Sequence, residues 1–121
     1  MFKITFSLKL LLEFFFLTEP LTADKSKSSP MIVKSYKRFK VRLVCTFKGG
    51  VPPVTIILTK GGRRLTQGVV VKRKVLYVKL NTSHRAAFGS YECIATDAKG
   101  NRVKQRITLQ RAGKNHLTVT N

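Results

Sequence analysis

Hydrophobic and polar residues alternate with a period of two along much of the chain from Val41 onward. Val41, Leu43 and Cys45 occupy every second position, with Arg42 and Val44 between them. Such alternation places one set of side chains on the inner face of a β-strand. Residues 76–80, 91–95 and 107–109 repeat the pattern. The chain is therefore predicted to form a series of half-buried strands.

Glycine, proline and asparagine residues separate these alternating segments. They are Gly49-Gly50, Pro52-Pro53, Gly61-Gly62, Gly89 and Gly100-Asn101. Short strands with turn residues at this spacing predict an all-β sandwich of two sheets. No helix of useful length and no internal repeat is indicated after the N-terminal segment, and 121 residues are enough for one domain with one core.

Residues 1–23 differ from the rest of the chain. Lys3 precedes an apolar, phenylalanine- and leucine-rich stretch, and the small residue Ala23 precedes a charged segment. This pattern is typical of a secretory signal peptide cleaved after Ala23. Because Lys9 and Glu13 interrupt the apolar stretch, an untranslocated amphipathic extension or a poorly functioning leader remains an alternative.

The remaining chain divides into three parts. Residues 24–30 have the polar, breaker-rich composition of a mobile lead-in, residues 31–111 form the predicted domain, and residues 112–121 form a polar tail. After the leader, no window approaches the ~18 consecutive apolar residues that a transmembrane helix requires. We therefore expect a secreted chain with no membrane span in its mature part.

The two cysteines lie on separate predicted strands, and both point inward. Cys45 and Cys93 can therefore be joined across the sandwich. A bridge that closes a loop of this length stabilises a domain by roughly 4 kcal/mol in the chain-entropy model. The alternative is a pair of buried free thiols, as in a cytosolic β-domain. Tyr91, two residues before Cys93, fits the position of a tyrosine corner, whose hydroxyl bonds back to the backbone.

Three motifs along these strands occur in register. They read Val41-x-Leu43-x-Cys45, then Gly50-x-Pro52-Pro53-x-Thr55-Ile56-x-Leu58-x-Lys60-x-Gly62-x-x-Leu65, then Gly89-x-Tyr91-x-Cys93-x-Ala95-x-Asp97-x-x-Gly100. Together they resemble the B, C and F strands of the immunoglobulin superfamily, closest to I-set or C2-type domains. The resemblance covers residues 29–109 and implies an immunoglobulin-like Greek-key sandwich.

Two positions depart from that family pattern. Leu58 stands where the family usually has tryptophan, which is similar to domains of platelet-endothelial adhesion molecules and Fc-receptor-like proteins. Ala87 stands where the family often has aspartate. The resemblance implies an extracellular recognition or adhesion module that binds a protein partner. The alternative is a structural immunoglobulin-like domain of a scaffold protein, or a fragment of a truncated receptor.

The strand phase also predicts which residues face outward on the sheet of strands C, F and G. Ile57 and Ile94 are expected to lie exposed side by side, next to the basic residues Arg102, Lys104 and Arg106. An apolar centre with a charged rim is how protein-docking faces are built. The alternative is a pair of isolated β-branched residues that satisfy strand propensity.

The chain has a large excess of positive charge. It contains 24 Lys and Arg against 5 Asp and Glu, a formal charge of +19, and the predicted leader is itself neutral. We predict that two clusters form one polyanion-binding ridge: Arg63, Arg64, Lys72, Arg73 and Lys74. Further bases are expected on the exterior of the other sheet: Lys37, Arg38, Lys40, Arg42 and Lys79.

Outside a cell such a surface fits heparan sulfate or an anionic cell surface, whereas the alternative is a merely solvated basic exterior. No nucleic-acid-reading motif occurs, so no specific nucleic-acid partner is predicted. Asn81-Thr82-Ser83 is an N-glycosylation triplet, of a kind that also arises by chance. Few acidic residues and two distant histidines offer no nucleophile with a base and no ligand set for a metal. We therefore predict a non-enzymatic chain without cofactor or metal.

Overall fold

A computed structural model describes residues 19–36 and 39–112 of the chain. Most of the predicted leader (residues 1–18), Lys37, Arg38 and nearly all of the predicted tail (residues 113–121) lie outside the described residues. The described part contains nine strands and one short 3₁₀ helix. The strands are β1 (Thr22–Ala23), β2 (Ile32–Ser35), β3 (Lys40–Lys48), β4 (Thr55–Lys60), β5 (Arg63–Leu65), β6 (Val69–Lys72), β7 (Val75–Asn81), β8 (Gly89–Thr96) and β9 (Arg102–Arg111). The 3₁₀ helix spans Arg85–Ala87, between β7 and β8.

The strands form two sheets, which confirms the predicted all-β sandwich. The first sheet has the order β1-β3-β7-β6, and the second has the order β2-β9-β8-β4-β5. Strand β2 runs parallel to β9, whereas every other neighbouring pair is antiparallel. The N-terminal part of the chain therefore contributes β1 to one sheet and β2 to the other.

The inner faces of the sheets carry the hydrophobic core that the period-two pattern predicted. Leu43, Leu58, Leu76, Ile107 and Leu109 are all buried. They come from both sheets, so the core lies between them. Val103, also predicted to face inward, is half-buried and packs against this core. The inward phase predicted for β4, β8 and β9 is confirmed.

The segment that the sequence assigned to the end of a leader lies within the folded domain. Leu21 is only 6% exposed and belongs to the core. Thr22 and Ala23 pair with Lys48 and Phe47 of β3. Cleavage after Ala23 would remove these contacts, and the position of any cleavage site stays a prediction.

The predicted lead-in, residues 24–30, is also tied to the first sheet. The Asp24 amide donates to the Thr46 carbonyl at 2.7 Å, and the Ser29 amide donates to the Val44 carbonyl at 2.8 Å. The Ser28 and Ser29 hydroxyls accept bonds from the amides of Thr46 and Val44, each at 2.8 Å. Polar residues thus continue the edge of the sheet, where the composition indicated mobility.

Candidate functional site

A disulfide joins the two sheets at the centre of the core. Cys45 on β3 and Cys93 on β8 are bridged, with their Cα atoms 6.4 Å apart. Both residues are buried. No free cysteine remains among the described residues, whose only two cysteines are these. The bridge holds β8, the central strand of the five-stranded sheet, against the opposite sheet.

The predicted tyrosine corner lies at the start of β8. The Tyr91 hydroxyl donates to the carbonyl of Ala87, at the end of the 3₁₀ helix. Ala87 thus contributes its backbone at a position where the resemblance leads one to expect an aspartate side chain. Burial raises the pKa of Tyr91. The phenol therefore stays protonated and remains a donor across the physiological pH range.

Lys60 adds a second bond to the same helix, which the sequence did not indicate. Its Nζ donates to the Ala86 carbonyl and lies 5.0 Å from the centre of the Tyr91 ring. Desolvation lowers the pKa of Lys60. Two side chains from adjacent strands, β4 and β8, therefore fix the 3₁₀ helix to this end of the sheet.

Asp97 organises the opposite end of the sandwich, a role that the sequence did not indicate. Its carboxylate accepts bonds from the amides of Lys99 at 3.0 Å, Asn101 at 2.9 Å and Val51 at 3.2 Å, and from the Asn101 side chain at 3.0 Å. These bonds, led by the Asn101 side chain, hold the pKa of Asp97 below its ordinary value. The carboxylate connects the β8–β9 turn to the loop between β3 and β4.

The outer face of the five-stranded sheet differs in one respect from its predicted form. Ile57 and Ile94 are paired across β4 and β8, so they lie side by side as predicted. However, Ile94 is only 8% exposed and Ile57 is half-buried, so the predicted exposure of Ile94 is wrong. Ile94 lies on a central strand with Ile57 on one side and Lys104 on the other. Cross-strand neighbours on both sides cover an outward side chain in this way.

Basic residues on β9 border this isoleucine pair. Arg102, Lys104 and Arg106 occupy alternate positions, and all three are exposed. The guanidinium of Arg106 lies 3.3 Å from the carboxylate of Glu92, the sole ion pair within the described ranges. The β9 side of the face therefore has unpaired positive charge, next to a mostly covered apolar centre.

The predicted polyanion residues lie on β5 and β6, which are edge strands of different sheets, and on the turn after β6. Arg63 pairs with Lys60, at the end of β4 that carries the tyrosine corner. Lys72 pairs with Val75, which lies beside Thr46 of β3. Arg64 stays with the first group, and Arg73 and Lys74 stay with the second. Arg64 nevertheless lines a cavity together with Val71, the residue before Lys72, so the single ridge stays a prediction.

Another group of cations lies on the outer face of the four-stranded sheet. Arg42 and Lys79 are direct cross-strand partners, and Lys40 follows on the same face of β3. The Arg42 guanidinium stacks 4.3 Å from the centre of the Tyr77 ring. Like charges at directly opposite positions repel each other, so this face would gain stability from a bound anion.

The glycosylation triplet lies at the end of β7. Asn81 is exposed, and its Oδ1 accepts bonds from the Ser83 amide at 3.0 Å and the Ser83 hydroxyl at 2.7 Å.

The described residues contain no cluster of three or more His, Cys, Asp or Glu side chains that could hold a metal ion. In that same part of the chain, no helix is long and hydrophobic enough to cross a membrane.

Comparison with known proteins identifies the fold but gives no close relative. No family model matches the sequence, and a search of the curated proteins finds no match. Solved structures do match. An I-band fragment from titin superposes with a TM-score of 0.63 at 17% identity, over 78% of this chain and 33% of that one. The twitchin kinase region from C.elegans gives 0.61 at 14% identity, over 76% of this chain and 16% of that one.

A third similar structure is a complex of Dpr2 Ig1-Ig2 with DIP-Theta Ig1-Ig3. It gives a TM-score of 0.62 at 15% identity, over 78% of this chain and 33% of that one. This chain thus spans a third or less of these three solved chains. Identities this low establish architecture rather than activity. Together with the strand order, the inter-sheet disulfide and the tyrosine corner, they show that the chain has the fold of an immunoglobulin-like domain.

Proposed function

We propose that this chain is an extracellular recognition or adhesion module that binds a protein partner through the outer face of β4, β8 and β9. The observation that carries the proposal is the arrangement on that face. Ile57, half-buried beside the buried Ile94, provides an apolar centre, and Arg102, Lys104 and Arg106 form a basic rim. Protein interfaces commonly combine such a centre with such a rim.

Two further observations support this proposal. The Cys45–Cys93 bridge favours an oxidising compartment, because disulfides form and persist in secreted and extracellular proteins. The similar Dpr2 structure is itself a complex between immunoglobulin domains of two proteins. The titin and twitchin fragments support the alternative, a structural domain of a longer scaffold or a truncated receptor.

A binding screen of the oxidised domain against extracellular proteins, followed by a variant of the face, tests the proposal. Ile57→Lys places a charge in the apolar centre, and its flexible stem can still cover Ile94. Val44→Lys is the matched control, because Val44 is a half-buried residue on the outer side of the other sheet. We expect the partner's affinity to fall at least tenfold in the first variant and to stay unchanged in the second. Equal affinities for both variants would contradict the assignment of this face.

Secretion has a separate test. The full chain expressed in eukaryotic cells is expected in the medium, with the bridge oxidised and Asn81 glycosylated. A glycosidase that removes N-linked glycans should then reduce its apparent mass. Retention of all the protein inside the cells would favour the structural alternative.

Secondary binding to sulfated glycosaminoglycans is supported by the cations on the four-stranded sheet. Lys40, Arg42 and Lys79 lie together there, and the described residues have a single ion pair to offset their excess positive charge. Replacing these three by glutamine should lower the salt concentration that elutes the chain from heparin more than replacing Arg63, Arg64 and Arg73. Equal shifts would show that total charge alone determines retention.

A further inference from the structure

One edge of β9 has a strand partner over only part of its length. On one side β9 pairs with β8 from Arg102 to Leu109. On the other side its pairing with β2 begins only at Thr108. Within the described ranges, residues 102–107 therefore have no strand on this second side. An open edge of this kind is a ready template for another extended chain.

The direction of the backbone groups follows from the bonds at the paired end. The amides of Thr108 and Ala112 donate to the carbonyls of Met31 and Ser35, at 2.7 and 2.8 Å, so the even-numbered residues direct their backbone toward β2. Backbone groups alternate sides along a strand. Three residues of this stretch therefore direct their N–H and C=O groups toward the side that has no strand partner. They are Arg102, Lys104 and Arg106.

A cavity of about 250 Å³ lies beside this open edge. Part of its wall is apolar and comes from Ala23, Pro30 and Met31, the last of which is 72% exposed. Lys25, Lys104 and Arg106 add positive charge to the lining, and Ser29 and Gln105 complete it. A chain that pairs with β9 would thus meet both apolar side chains and cations at this cavity.

We propose that the open edge of β9 binds an extended acidic segment of a partner protein by strand addition. The segment's main chain pairs with Arg102, Lys104 and Arg106, an apolar side chain enters the cavity, and its carboxylates lie against the cations. Strand addition derives affinity from main-chain hydrogen bonds and specificity from alternate side chains. This inference rests on the proposed function, since it specifies the chemistry of the protein partner.

The positive charge of the β9 edge favours an acidic partner over a second copy of this chain. Pairing two β9 edges would place the same three cations of each copy close together, and like charges directly opposite each other across strands are destabilising. Lysine and arginine on an edge strand oppose self-association in this way. An acidic strand, in contrast, neutralises them.

The test uses the full oxidised chain and a synthetic octapeptide, Glu-Val-Glu-Leu-Glu-Val-Glu-Leu, in 0.15 M salt. Amide exchange measured by NMR should show Arg102, Lys104 and Arg106 unprotected in the free chain and protected with the peptide. The same peptide with N-methylated amides at its glutamates retains every side chain but loses those backbone donors. It should bind at least tenfold more weakly.

Two substitutions at one position separate backbone pairing from charge. Lys104→Pro removes an edge N–H that does not bond to β8, and proline is tolerated on edge strands where the N–H faces outward. Lys104→Pro should lower the affinity for the peptide at least tenfold. Lys104→Thr, which removes only the charge, should lower that affinity only about 2- to 5-fold. If Lys104→Pro unfolds the chain, the methylated peptide still provides the test.

Several results would overturn the inference. They are absence of peptide binding, protection of the three amides in the free chain, a dimer in sedimentation of the chain alone, or binding of a sulfated oligosaccharide at this edge with no binding of the peptide. Suppose that Ile57→Lys lowers the affinity of a protein partner, whereas Lys104→Pro leaves that affinity unchanged and the peptide does not compete. The strand-addition site then fails and the proposed function stands. If the peptide binds the edge and Ile57→Lys changes no partner's affinity, the proposed face fails instead.

Discussion

Replacing Leu21 by alanine should destabilise the domain substantially, although the sequence assigns this residue to a leader. Leu21 is 6% exposed and packs beside Gly50 at the margin of the core. Buried Leu→Ala substitutions cost about 2–5 kcal/mol, including the cavity that remains. Since a marginal site can partly collapse, we expect a loss of about 2–3 kcal/mol. For a domain of this size, that corresponds to a fall of roughly 10–20 °C in Tm.

Thermal and urea unfolding of the oxidised chain measure this change. Thr22→Ala is the control, because Thr22 lies on the same short strand with an exposed side chain, and it should change stability by less than about 0.5 kcal/mol. A chain that begins at Asp24 lacks Leu21 and β1, so it should also unfold at a lower temperature than one that begins at Glu19. A loss below about 0.5 kcal/mol in Leu21→Ala would refute the structural role of this segment.

Three further predictions concern the bridge and the two ends of the sandwich. Replacing Cys45 and Cys93 together by alanine should reduce the free energy of unfolding by roughly 4 kcal/mol, and an unchanged urea midpoint would contradict this. Tyr91→Phe should cost about 1–2 kcal/mol in the same assay, because the Ala87 carbonyl loses its donor. The lowered pKa of Asp97 means that its stabilising effect is complete above the pKa of an unfolded aspartate, about 4, and is lost as the pH falls below that value. Asp97→Ala should therefore show a smaller fall in Tm between pH 7 and pH 3 than the parent chain, and equal falls would argue against the role of this carboxylate.

Features fixed by local periodicity were predicted correctly from the sequence. The inward phase of Cys45, Tyr91 and Cys93 follows directly from alternation along single strands, which does not depend on register. The resulting sandwich and its bridge are confirmed. The inward positions of β9 were predicted from the same alternation.

Features that depend on contacts between strands were not predictable in this way. The burial of Ile94 depends on Ile57 and Lys104, which only the register places beside it. Arg63 and Lys72 lie on different sheets because the chain crosses from one sheet to the other between β5 and β6, which alternation along single strands does not indicate.

The N-terminal strand β1 could not be predicted from the sequence for a different reason. An apolar residue followed by small ones is typical both of the end of a leader and of a short edge strand. Leu21 and Ala23 satisfy both patterns. Only their packing against β3 distinguishes the two.

The parallel pairing of β2 with β9 has a mechanical consequence. Ile32 begins one strand and Arg111 ends the other, and the four residue pairs between them run in the same direction. A force that pulls the chain at both ends therefore draws these strands past each other along their length. Their hydrogen bonds are then loaded together in shear, whereas hydrogen bonds that are opened from one end break one after another. Tension between the chain ends would thus meet a concerted resistance at this ladder before β9 is pulled from β8.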